Sequence, residues 1–530
     1  MADLLLDGAR VVDGTGAPWF EGSVVVDVDG GRIEAVHRGE GGLPEAATTV
    51  DLGGDVVCPG FVDTHSHSDL ELFRDPALSP KTRQGVTTEV LGQDGFSVAP
   101  VSGDRVDEWR RQLGPLAGEI DREWSWRSVS EYLDAVEARG VGPNVATLVG
   151  HGTVRHEVLG MADRAPDQPE LARMERLVDR ALEAGAIGVS TGLVYTPQTY
   201  AGTGEVERLA GRLAPYGRPF VAHIRSERRR IWSAIDEFVD VGAEQGIPLH
   251  LSHFKMGGPP QHGRADRGIA LLEAARDRGV DITAEAYPYT ASSTTLTYVL
   301  PPWVYADGPD GALERLADEE ARRRIRRDVH EYRIEDWENP GEYSGWGNVV
   351  VTQAEQHREF EGESIERIAD EWDTDPVLAA CDLLLENDLQ VSVVNHFLAE
   401  RDVREILGCE RVNVASDGLF GGKPHPRVYG TFPRVLGHYA RDENLLSMEE
   451  AVRRMTALPA RAMGLQRKGV LRPGMDADLV VFDPDVVSSP ATFDSPRQYP
   501  RGISHVLVDG EFVVRDGEGT DARPGTAIRK

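Results

Sequence analysis

The chain has 530 residues, of which 40% are hydrophobic and 27% charged, and its 57 Lys and Arg face 88 Asp and Glu, for a formal net charge of −31. This composition is typical of a folded globular protein and excludes a disordered one. A negative field of this size repels phosphate backbones and anionic lipid, and no cluster of Lys and Arg is large enough to override it. We therefore expect neither a nucleic-acid partner nor a membrane partner.

The cysteines and the N-terminus indicate the compartment. Cys58, Cys381 and Cys409 are odd in number and far apart, which argues against a disulfide framework. The N-terminus has neither the basic nor the apolar region of a signal peptide, and no run of 18 apolar residues occurs. We expect a cytoplasmic protein. The sequence leaves the oligomeric state open, and a homo-oligomer is compatible with it.

Both ends of the chain read as short strands separated by glycine-containing turns. The predicted strands are 4–6, 23–28 and 55–57 at the N-terminal end, and 477–482, 505–508 and 511–514 at the C-terminal end. Neither end alone is large enough to bury a good core. We therefore predict one small β domain built from residues 1–57 and 465–530.

The middle of the chain, residues 58–464, alternates apolar strands with amphipathic helical stretches, a pattern typical of βα units. The strand candidates are 61–65, 87–91, 145–149, 187–191, 220–224, 249–253, 282–287, 391–397 and 412–417. The predicted fold class is α/β, a (β/α)₈ TIM-like barrel. Nine candidates compete for eight places, so one belongs to an insertion or is not a strand. Periodicity does not decide which.

The alternation breaks between residues 292 and 346. This stretch contains Pro301-Pro302-Trp303, a charged helical segment at 313–327 and further aromatic residues. A long insertion after a barrel strand is a candidate for a segment that covers an active site. We predict a lid-like insertion at about 292–346, with surface decoration as the alternative.

The first strand of the predicted barrel ends in a His-x-His motif. Residues i and i+2 of a strand point to the same side, so His65 and His67 bring two imidazoles together where the strand ends. Convergent imidazoles suit a divalent metal. The motif alone is common, and a structural role for the two histidines is the alternative.

Three more strands end in residues that can ligate a metal. His223, His253 and Asp417 each stand where an apolar run stops. In a (β/α)₈ barrel the active site lies at the carboxyl ends of the strands, so these side chains and the His-x-His pair are expected to meet there. His250 shares the i+3 relation with His253, and we interpret it as a packed histidine behind the site.

Further motifs along nearly the whole chain carry a family resemblance. They are Pro59-Gly60-Phe61, Gly85-Val86-Thr87-Thr88, Gly150-His151-Gly152-Thr153, Ser190-Thr191-Gly192-Leu193, Ser252-His253-Phe254-Lys255, Ser416-Asp417-Gly418, His425-Pro426-Arg427, Gly430-Thr431-Phe432-Pro433-Arg434 and Gly474-Met475-Asp476-Ala477-Asp478. With these motifs the chain resembles the D-aminoacylase (N-acyl-D-amino-acid deacylase) family of the amidohydrolase superfamily. The resemblance implies that the small β domain formed by both chain ends is a β-sandwich. The motif set is specific for the family and much less so for the substrate.

The resemblance implies a metal centre of one or two divalent ions, usually zinc, held by His65, His67, His223 and His253. It also implies that Asp417 stands beside the activated water and moves its proton. The family typically has a cysteine ligand after the second strand, where this chain has Asp94 in Leu-Gly-Gln-Asp-Gly. An aspartate oxygen can take that place, which leaves the metal identity and stoichiometry open. Capping of the turn is the alternative role for this aspartate.

The resemblance also points to residues that contact the substrate. Lys255, Tyr195 and Tyr287 are implied as partners of an α-carboxylate, and Lys255 lies two residues beyond His253, on the same side if the strand continues. Arg427 is a candidate for recognition of a second carboxylate. His151 and Ser292 are further candidates for the pocket.

The expected function is metal-dependent hydrolysis of an N-acyl-D-amino acid to a carboxylate and a free D-amino acid. One alternative is a cyclic amidase of the hydantoinase or dihydroorotase type, but no lysine lies near strand 187–191 to form the carboxylated-lysine bridge of those enzymes. The other alternative is a catalytically silent barrel that binds a small ligand. The complete set of polar positions argues against that loss of function.

Overall fold

The computed structural model describes residues 2–39, 41–121, 123–331, 334 and 337–530. Residues 332, 333, 335 and 336 of the predicted insertion lie outside this description. The strands are β1 Ala2–Val11, β2 Phe20–Asp27, β3 Arg32–Arg38, β4 Ala46–Asp51, β5 Val56–Pro59, β6 Phe61–Asp63, β7 Val86–Leu91, β8 Asn144–Thr147, β9 Val149–Gly150, β10 Val189–Gly192, β11 Phe220–His223, β12 Leu249–Leu251, β13 Ile282–Ala286, β14 Ala291–Thr295, β15 Val349–Ala354, β16 Val391–His396, β17 Val412–Val414, β18 Leu479–Phe482, β19 Ile503–Val508, β20 Glu511–Arg515 and β21 Glu518–Gly519.

The helices are α1 Glu71–Arg74, α2 Ser79–Thr82, α3 Val106–Ala117, α4 Val129–Arg139, α5 His151–Leu159, α6 Gln168–Glu183, α7 Thr203–Ala210, α8 Ile231–Gln245, α9 Ala265–Asp277, α10 Gly308–Ala317, α11 Glu319–His330, α12 Pro340–Ser344, α13 Ile365–Glu371, α14 Pro376–Glu386, α15 Glu400–Gly408, α16 Arg427–Arg434, α17 Met448–Met455 and α18 Ala457–Ala462. A π-helical stretch, Val435–Asp442, continues α16. In the described part of the chain no helix is both long and apolar enough to cross a bilayer.

Eight parallel strand positions form the barrel. One sheet has the order β6-β7-β8, another has β9-β10-β11-β12-β13-β17, and β8 and β9 are consecutive pieces of one strand. The ring closes between its first and last strands, where Ser66 pairs with Gly418 in parallel and the Asp417 amide donates to the His65 carbonyl at 2.9 Å. The predicted (β/α)₈ barrel is confirmed, and its closure brings residues 65 and 417 side by side.

Both chain ends contribute to one nine-stranded sheet. Its order is β21-β20-β19-β18-β5-β1-β2-β3, with β4 beside β1. The two ends meet where β18 lies antiparallel to β5. Apolar side chains from the two ends, such as Leu6 and Val481, share one buried cluster, so each end supplies the core that the other lacks. The domain limits at residues 57 and 465 stay predictions.

The ninth strand candidate lies outside the barrel. Val391–His396 pairs antiparallel with both β14 and β15 in a separate three-stranded sheet. Helices α10, α11 and α14 bury apolar residues in the same cluster as Val391 and Val393, which lie on one face of the strand. On the other face Ser392 and Val394 are also buried, so the strand is covered on both faces. That explains why its sequence looks like a buried barrel strand. Because β14 and β15 both pair with β16, the inserted segment extends from Ala291 to His396. The predicted end at about residue 346 was therefore too early.

Candidate active site

Six side chains that can ligate a metal converge at the carboxyl end of the barrel. None of them is more than 6% exposed. They come from five strands: His65 and His67 follow β6, Asp94 follows β7, His223 ends β11, His253 follows β12 and Asp417 follows β17. The structure therefore brings together every metal-ligating candidate that the sequence singles out.

Asp94 lies at the centre of the histidines. Its Oδ1 atom is 3.6 Å from His65 Nε2 and 3.5 Å from His253 Nε2. The same oxygen is 3.8 Å from His223 Nδ1, and Oδ2 is 3.8 Å from His67 Nε2. Burial opposes ionisation of Asp94, but the surrounding imidazoles outweigh it and hold its pKa well below the usual range.

Asp417 closes the group from the opposite side of the ring. Its Oδ1 atom is 3.4 Å from His67 Nε2 and 3.6 Å from His65 Nε2. Its Oδ2 atom forms an ion pair with Arg427 Nη1 at 2.9 Å. Burial would raise the pKa of Asp417, but Arg427 and then His65 outweigh it and lower that pKa. The aspartate is therefore held ionised, with one oxygen turned towards the histidines.

The donor atoms fit divalent ions. Two overlapping groups have their donor atoms within 4.8 Å of one another: His65, His67, Asp94 and Asp417 in one, and Asp94, His223 and His253 in the other. Two ligands of one tetrahedral ion are separated by about 3.4 Å, close to the spacings here and too long for good hydrogen bonds. His65 Nε2, Asp94 Oδ1 and both ring nitrogens of His223 are buried with no hydrogen-bond partner among the described residues. Buried nitrogen and oxygen atoms that lack hydrogen-bond partners and lie close together are available to coordinate a metal ion.

Three of the convergent residues have left-handed backbone conformations. The φ angles are +53° at Asp94, +33° at His253 and +51° at Asp417. Left-handed backbone is uncommon outside glycine and, within that minority, favours Asn, Asp and His. Interstrand hydrogen bonds hold the turns, including Phe254 N to the Glu285 carbonyl at 2.7 Å. The sharp turns aim each side chain inward immediately after its strand ends.

Two buried glutamates at the site were not singled out from the sequence. Glu285, near the end of β13, accepts from His65 Nδ1 at 2.5 Å and from His250 Nε2 at 3.0 Å. Glu227 lies on the loop after β11, with Oε1 3.0 Å from His253 Nδ1. Each carboxylate contacts the outer nitrogen of a histidine whose other nitrogen faces Asp94, an arrangement that orients metal-ligating imidazoles. His250 thus lies behind the site, as interpreted from the sequence.

Lys255 contacts the same glutamate. Its ammonium donates to Glu227 Oε1 at 2.5 Å and lies 2.7 Å from His253 Nδ1. Burial lowers the pKa of Lys255, although Glu227 opposes that shift. The predicted position of this lysine beside His253 is therefore observed, together with a carboxylate partner that the sequence did not indicate.

A second buried lysine braces the barrel closure. Lys81 Nζ donates to Asp63 Oδ2 at 2.7 Å and to Ser416 Oγ at 2.6 Å, and it lies 3.1 Å from Glu89 Oε1. Asp63 also accepts from the Ser416 amide at 2.9 Å. These contacts tie β6 and β7 to the residue directly before Asp417. Because Lys81 is on α2 and not at a strand end, strand-end motifs did not indicate it.

The other substrate candidates have different environments. Tyr195, Ser292 and Lys255 line the cavity beside the histidines. Tyr287 lies against Lys255, with the ammonium 5.6 Å from the ring centroid, and its hydroxyl is buried without a hydrogen-bond partner among the described residues. Arg427 stacks on the same ring at 4.7 Å while it pairs with Asp417.

His151 lies outside this cavity. Its Nδ1 contacts Thr191 Oγ1 at 2.9 Å and its Nε2 contacts Glu205 Oε1 at 2.9 Å. Arg155 donates to the same glutamate, so both nitrogens of the imidazole are used in a buried network. The structure does not bring His151 to the substrate candidates, because its hydrogen bonds hold it beside β10 and α7.

The cavity at the site is small and largely enclosed. It holds about 20 Å³, room for roughly one water molecule and far below the size of an amino-acid substrate. Part of its wall belongs to the inserted segment, through Ser292, Ser293, Thr294 and Tyr298, and Phe397 directly follows that segment. A substrate of that size fits only after the cavity lining rearranges.

Comparisons with known proteins agree with the geometry. A model of a family described as "Amidohydrolase family" matches residues 48–514. The chain is 35% identical to the D-aminoacylase of Alcaligenes xylosoxydans xylosoxydans, and the alignment covers 100% of this chain and 98% of that enzyme. It is also 35% identical to the N-acyl-D-glutamate deacylase of the same organism, with 100% of this chain and 96% of that enzyme covered. The crystal structure of N-acyl-D-glutamate deacylase from Bordetella bronchiseptica, complexed with zinc and a phosphonate inhibitor, is 34% identical, with a TM-score of 0.83 and 100% coverage of both chains. The chain therefore belongs to the amidohydrolase family and, within it, to the D-aminoacylase (N-acyl-D-amino-acid deacylase) family.

Proposed function

We propose that this protein hydrolyses the amide bond of N-acyl-D-amino acids and releases a carboxylate and a free D-amino acid. The observation that carries the proposal is the convergence of four imidazoles and two carboxylates, with unpartnered inner atoms, in a chain 35% identical to a D-aminoacylase along its whole length. The chain is thus a hydrolase of a small molecule. Its identity to an N-acyl-D-glutamate deacylase is also 35%, so overall identity does not select the side chain of the substrate.

Divalent ions, with zinc the expected metal, would be held by His65, His67, Asp94, His223, His253 and Asp417. Zinc is present in the related Bordetella structure. When bound, such ions supply an activated water molecule and polarise the amide carbonyl. Asp94 contributes to both donor groups, so one or two ions are compatible with the set. Its carboxylate oxygens are harder ligands than a thiolate, which widens the acceptable metals towards manganese and cobalt.

Asp417 is the proposed proton carrier. Its Oδ1 faces His67 and its Oδ2 is fixed by Arg427, so the carboxylate has a set orientation and a lowered pKa. An ionised carboxylate at this position takes a proton from the attacking water. It then passes that proton to the departing nitrogen, which leaves as the amine of the amino acid.

The α-carboxylate of the substrate is proposed to bind beside Lys255. Tyr195 and Ser292 line the same cavity, and the Tyr287 ring lies against the lysine, with a buried hydroxyl that has no hydrogen-bond partner among the described residues. Lys255 has three N–H donors, and its contacts with Glu227 and His253 Nδ1 use two at most, which leaves at least one for a ligand. Arg427 pairs with Asp417 Oδ2 at 2.9 Å and acts through that carboxylate.

The two alternatives account for fewer of the observations. A cyclic amidase of the hydantoinase or dihydroorotase type relies on a carboxylated lysine, and no lysine occurs between residues 82 and 254. A silent binding protein would have no need for both the paired Asp417 and the complete donor set. We further propose a cytoplasmic location and no nucleic-acid or membrane partner. A homo-oligomer is compatible with this proposal.

The experiment is a substrate panel on metal-loaded protein. N-acetyl-D-amino acids with neutral and acidic side chains are compared with hydantoin and dihydroorotate, and release of a primary amine or opening of the ring is followed. We expect turnover of at least one linear N-acyl-D-amino acid and none of the rings. Ring opening without release of a D-amino acid would establish the cyclic amidase instead.

A further inference from the structure

Arg228 is a buried cation that the proposed chemistry does not use. It lies one residue beyond Glu227 on the loop after β11, is 3% exposed, and lines the cavity that contains His67, His253 and Asp417. Burial of a guanidinium is costly unless an anion pairs with it. The residues around Arg228 therefore show whether the protein itself supplies the anion that pairs with it.

The neighbours of Arg228 leave its charge unpaired. Nη1 donates to the Tyr298 hydroxyl, and the guanidinium stacks 4.9 Å from the centroid of the Phe397 ring. Nε is buried with no hydrogen-bond partner among the described residues. In the described ranges no carboxylate oxygen comes within 4.0 Å of the guanidinium to form an ion pair. Two acidic residues act electrostatically on Arg228 from a longer distance. Glu227 is paired with Lys255, and Glu338 accepts from Ser226 Oγ at 2.8 Å through Oε2 while its Oε1 is buried with no hydrogen-bond partner among the described residues.

The other two cations of the site are already paired. Lys255 is bound to Glu227 at 2.5 Å and Arg427 to Asp417 at 2.9 Å. Arg228 is thus the cation of this cavity that lacks a carboxylate partner in the part of the chain described here. Since no carboxylate among the described residues forms an ion pair with Arg228, its guanidinium has donors left for an anionic group of a ligand.

Arg228 and Lys255 line the same cavity but contact different neighbours. The α-carboxylate is attached to the carbon that carries the scissile nitrogen, so it must bind next to the metal-ligating residues, where Lys255 contacts His253 at 2.7 Å. Arg228 instead contacts Tyr298, which belongs to the inserted segment, and Phe397, which directly follows that segment. An acidic amino acid carries a second carboxylate two or three bonds beyond its α-carbon, and that group needs a second cation.

We propose that Arg228 is an anion subsite for the side-chain carboxylate of the substrate, so that the preferred substrates are N-acylated D-amino acids with an acidic side chain. The inference rests on the proposed deacylase function and names its substrate class. Guanidinium and carboxylate form charge-assisted and often bidentate hydrogen bonds, which a neutral amide of the same shape does not reproduce. Tyr298 orients the guanidinium towards the cavity.

The test compares isosteric acidic and neutral substrates. For the wild-type enzyme we expect kcat/KM on N-acetyl-D-glutamate to exceed that on N-acetyl-D-glutamine by about tenfold or more. Arg228→Gln should lower kcat/KM on the glutamate substrate by about 10- to 100-fold, mainly through KM, and change the glutamine substrate by about threefold at most. Arg225→Gln is the matched control, because Arg225 is on the same loop but pairs with Glu237 outside the cavity.

Two further variants keep the test decisive if Arg228→Gln fails to fold. Arg228→Lys retains the charge without the planar fork, and Tyr298→Phe removes the hydroxyl that accepts from Arg228. Both should reduce the ratio of acidic to neutral turnover while the metal content stays at the wild-type level. An unchanged ratio in both variants would overturn the subsite.

The remaining outcomes separate this inference from the function on which it rests. Turnover of neutral D-substrates with no acidic preference, and no change in Arg228→Gln, would overturn the subsite and leave the deacylase function intact. Equal losses on both substrates would assign Arg228 to the α-carboxylate and also overturn it. Absence of turnover on every N-acyl-D-amino acid would remove both proposals.

Discussion

Glu285 binds the outer nitrogen of His65, with Oε1 2.5 Å from Nδ1, and so leaves the inner nitrogen of that ring facing Asp94 and Asp417. Burial would raise the pKa of Glu285, but its neighbours His65 and His250 outweigh that effect and lower the pKa. The ionised carboxylate fixes the imidazole tautomer with Nδ1 protonated and Nε2 free. This is the form that binds a metal.

We predict that Glu285→Gln weakens metal binding. The amide keeps the size of the side chain but no longer supplies the negative charge that selects the tautomer of His65, so metal affinity and activity should fall together by about 10- to 100-fold. Elemental analysis of protein dialysed against graded metal concentrations measures the affinity. Glu273→Gln on α9, an exposed glutamate, is the control. Wild-type metal affinity in Glu285→Gln would show that the tautomer is set by other contacts.

Asp94 is predicted to be a metal ligand. Since its φ angle is +53°, replacement by Asn, which tolerates this backbone, separates the loss of charge from strain in the turn. Asp94→Asn should lower the number of bound ions and the activity together. Asp94→Cys should retain zinc and shift the preference away from manganese, because thiolate is the softer ligand.

Metal content of the purified Asp94 variants decides between ligation and capping of the turn. Asp281 is exposed and outside the site, so the Asp281→Asn variant controls for metal that is lost during purification. If Asp94→Asn binds as much metal as the wild type and remains fully active, Asp94 is outside the metal centre.

Asp417→Asn is predicted to separate chemistry from metal binding. The variant should fold and retain at least one ion, because the second donor group, around His223 and His253, does not include Asp417. Loss of the proton carrier should reduce kcat by about 10²- to 10⁴-fold or more. Steady-state kinetics together with metal analysis tests this. A near-normal kcat would assign the proton transfer to another group.

Ligand binding is predicted to protect the inserted segment from proteolysis. The enclosed cavity has Thr294 and Tyr298 in its wall, so the segment must open for substrate entry and close over the bound molecule. Limited proteolysis with and without a product D-amino acid should show slower cleavage within residues 292–346 in the bound state. Equal rates would indicate that the segment is surface decoration.

The sequence indicated those site residues that stand directly after a predicted strand. His65, His67, His223, His253 and Asp417 were found because each follows an apolar run, and parallel strands of a barrel share their carboxyl ends. Barrel closure then brings the first and last of these together, as the backbone hydrogen bond between residues 65 and 417 shows. Asp94 was found by its place in the family pattern.

The residues that the sequence did not indicate lack such a signal. Glu227 and Arg228 lie in a loop, and Lys81 is on a short helix, so only the tertiary structure shows that they are buried at the site. The strand Val391–His396 was ambiguous for a related reason, because a strand covered on both faces is apolar wherever it lies. His151 looked available in the sequence, and its two hydrogen bonds became evident only from the fold.

The most direct test of the central claim is the ratio of kcat/KM for the two enantiomers of one N-acetyl amino acid, measured on metal-loaded enzyme with a readout for the released amine. N-acetylglutamate is the substrate of choice, because both the α-carboxylate beside Lys255 and the side-chain carboxylate at Arg228 are then tested in one molecule. The account predicts turnover of the D enantiomer and little of the L enantiomer. Preference for the L enantiomer would contradict it.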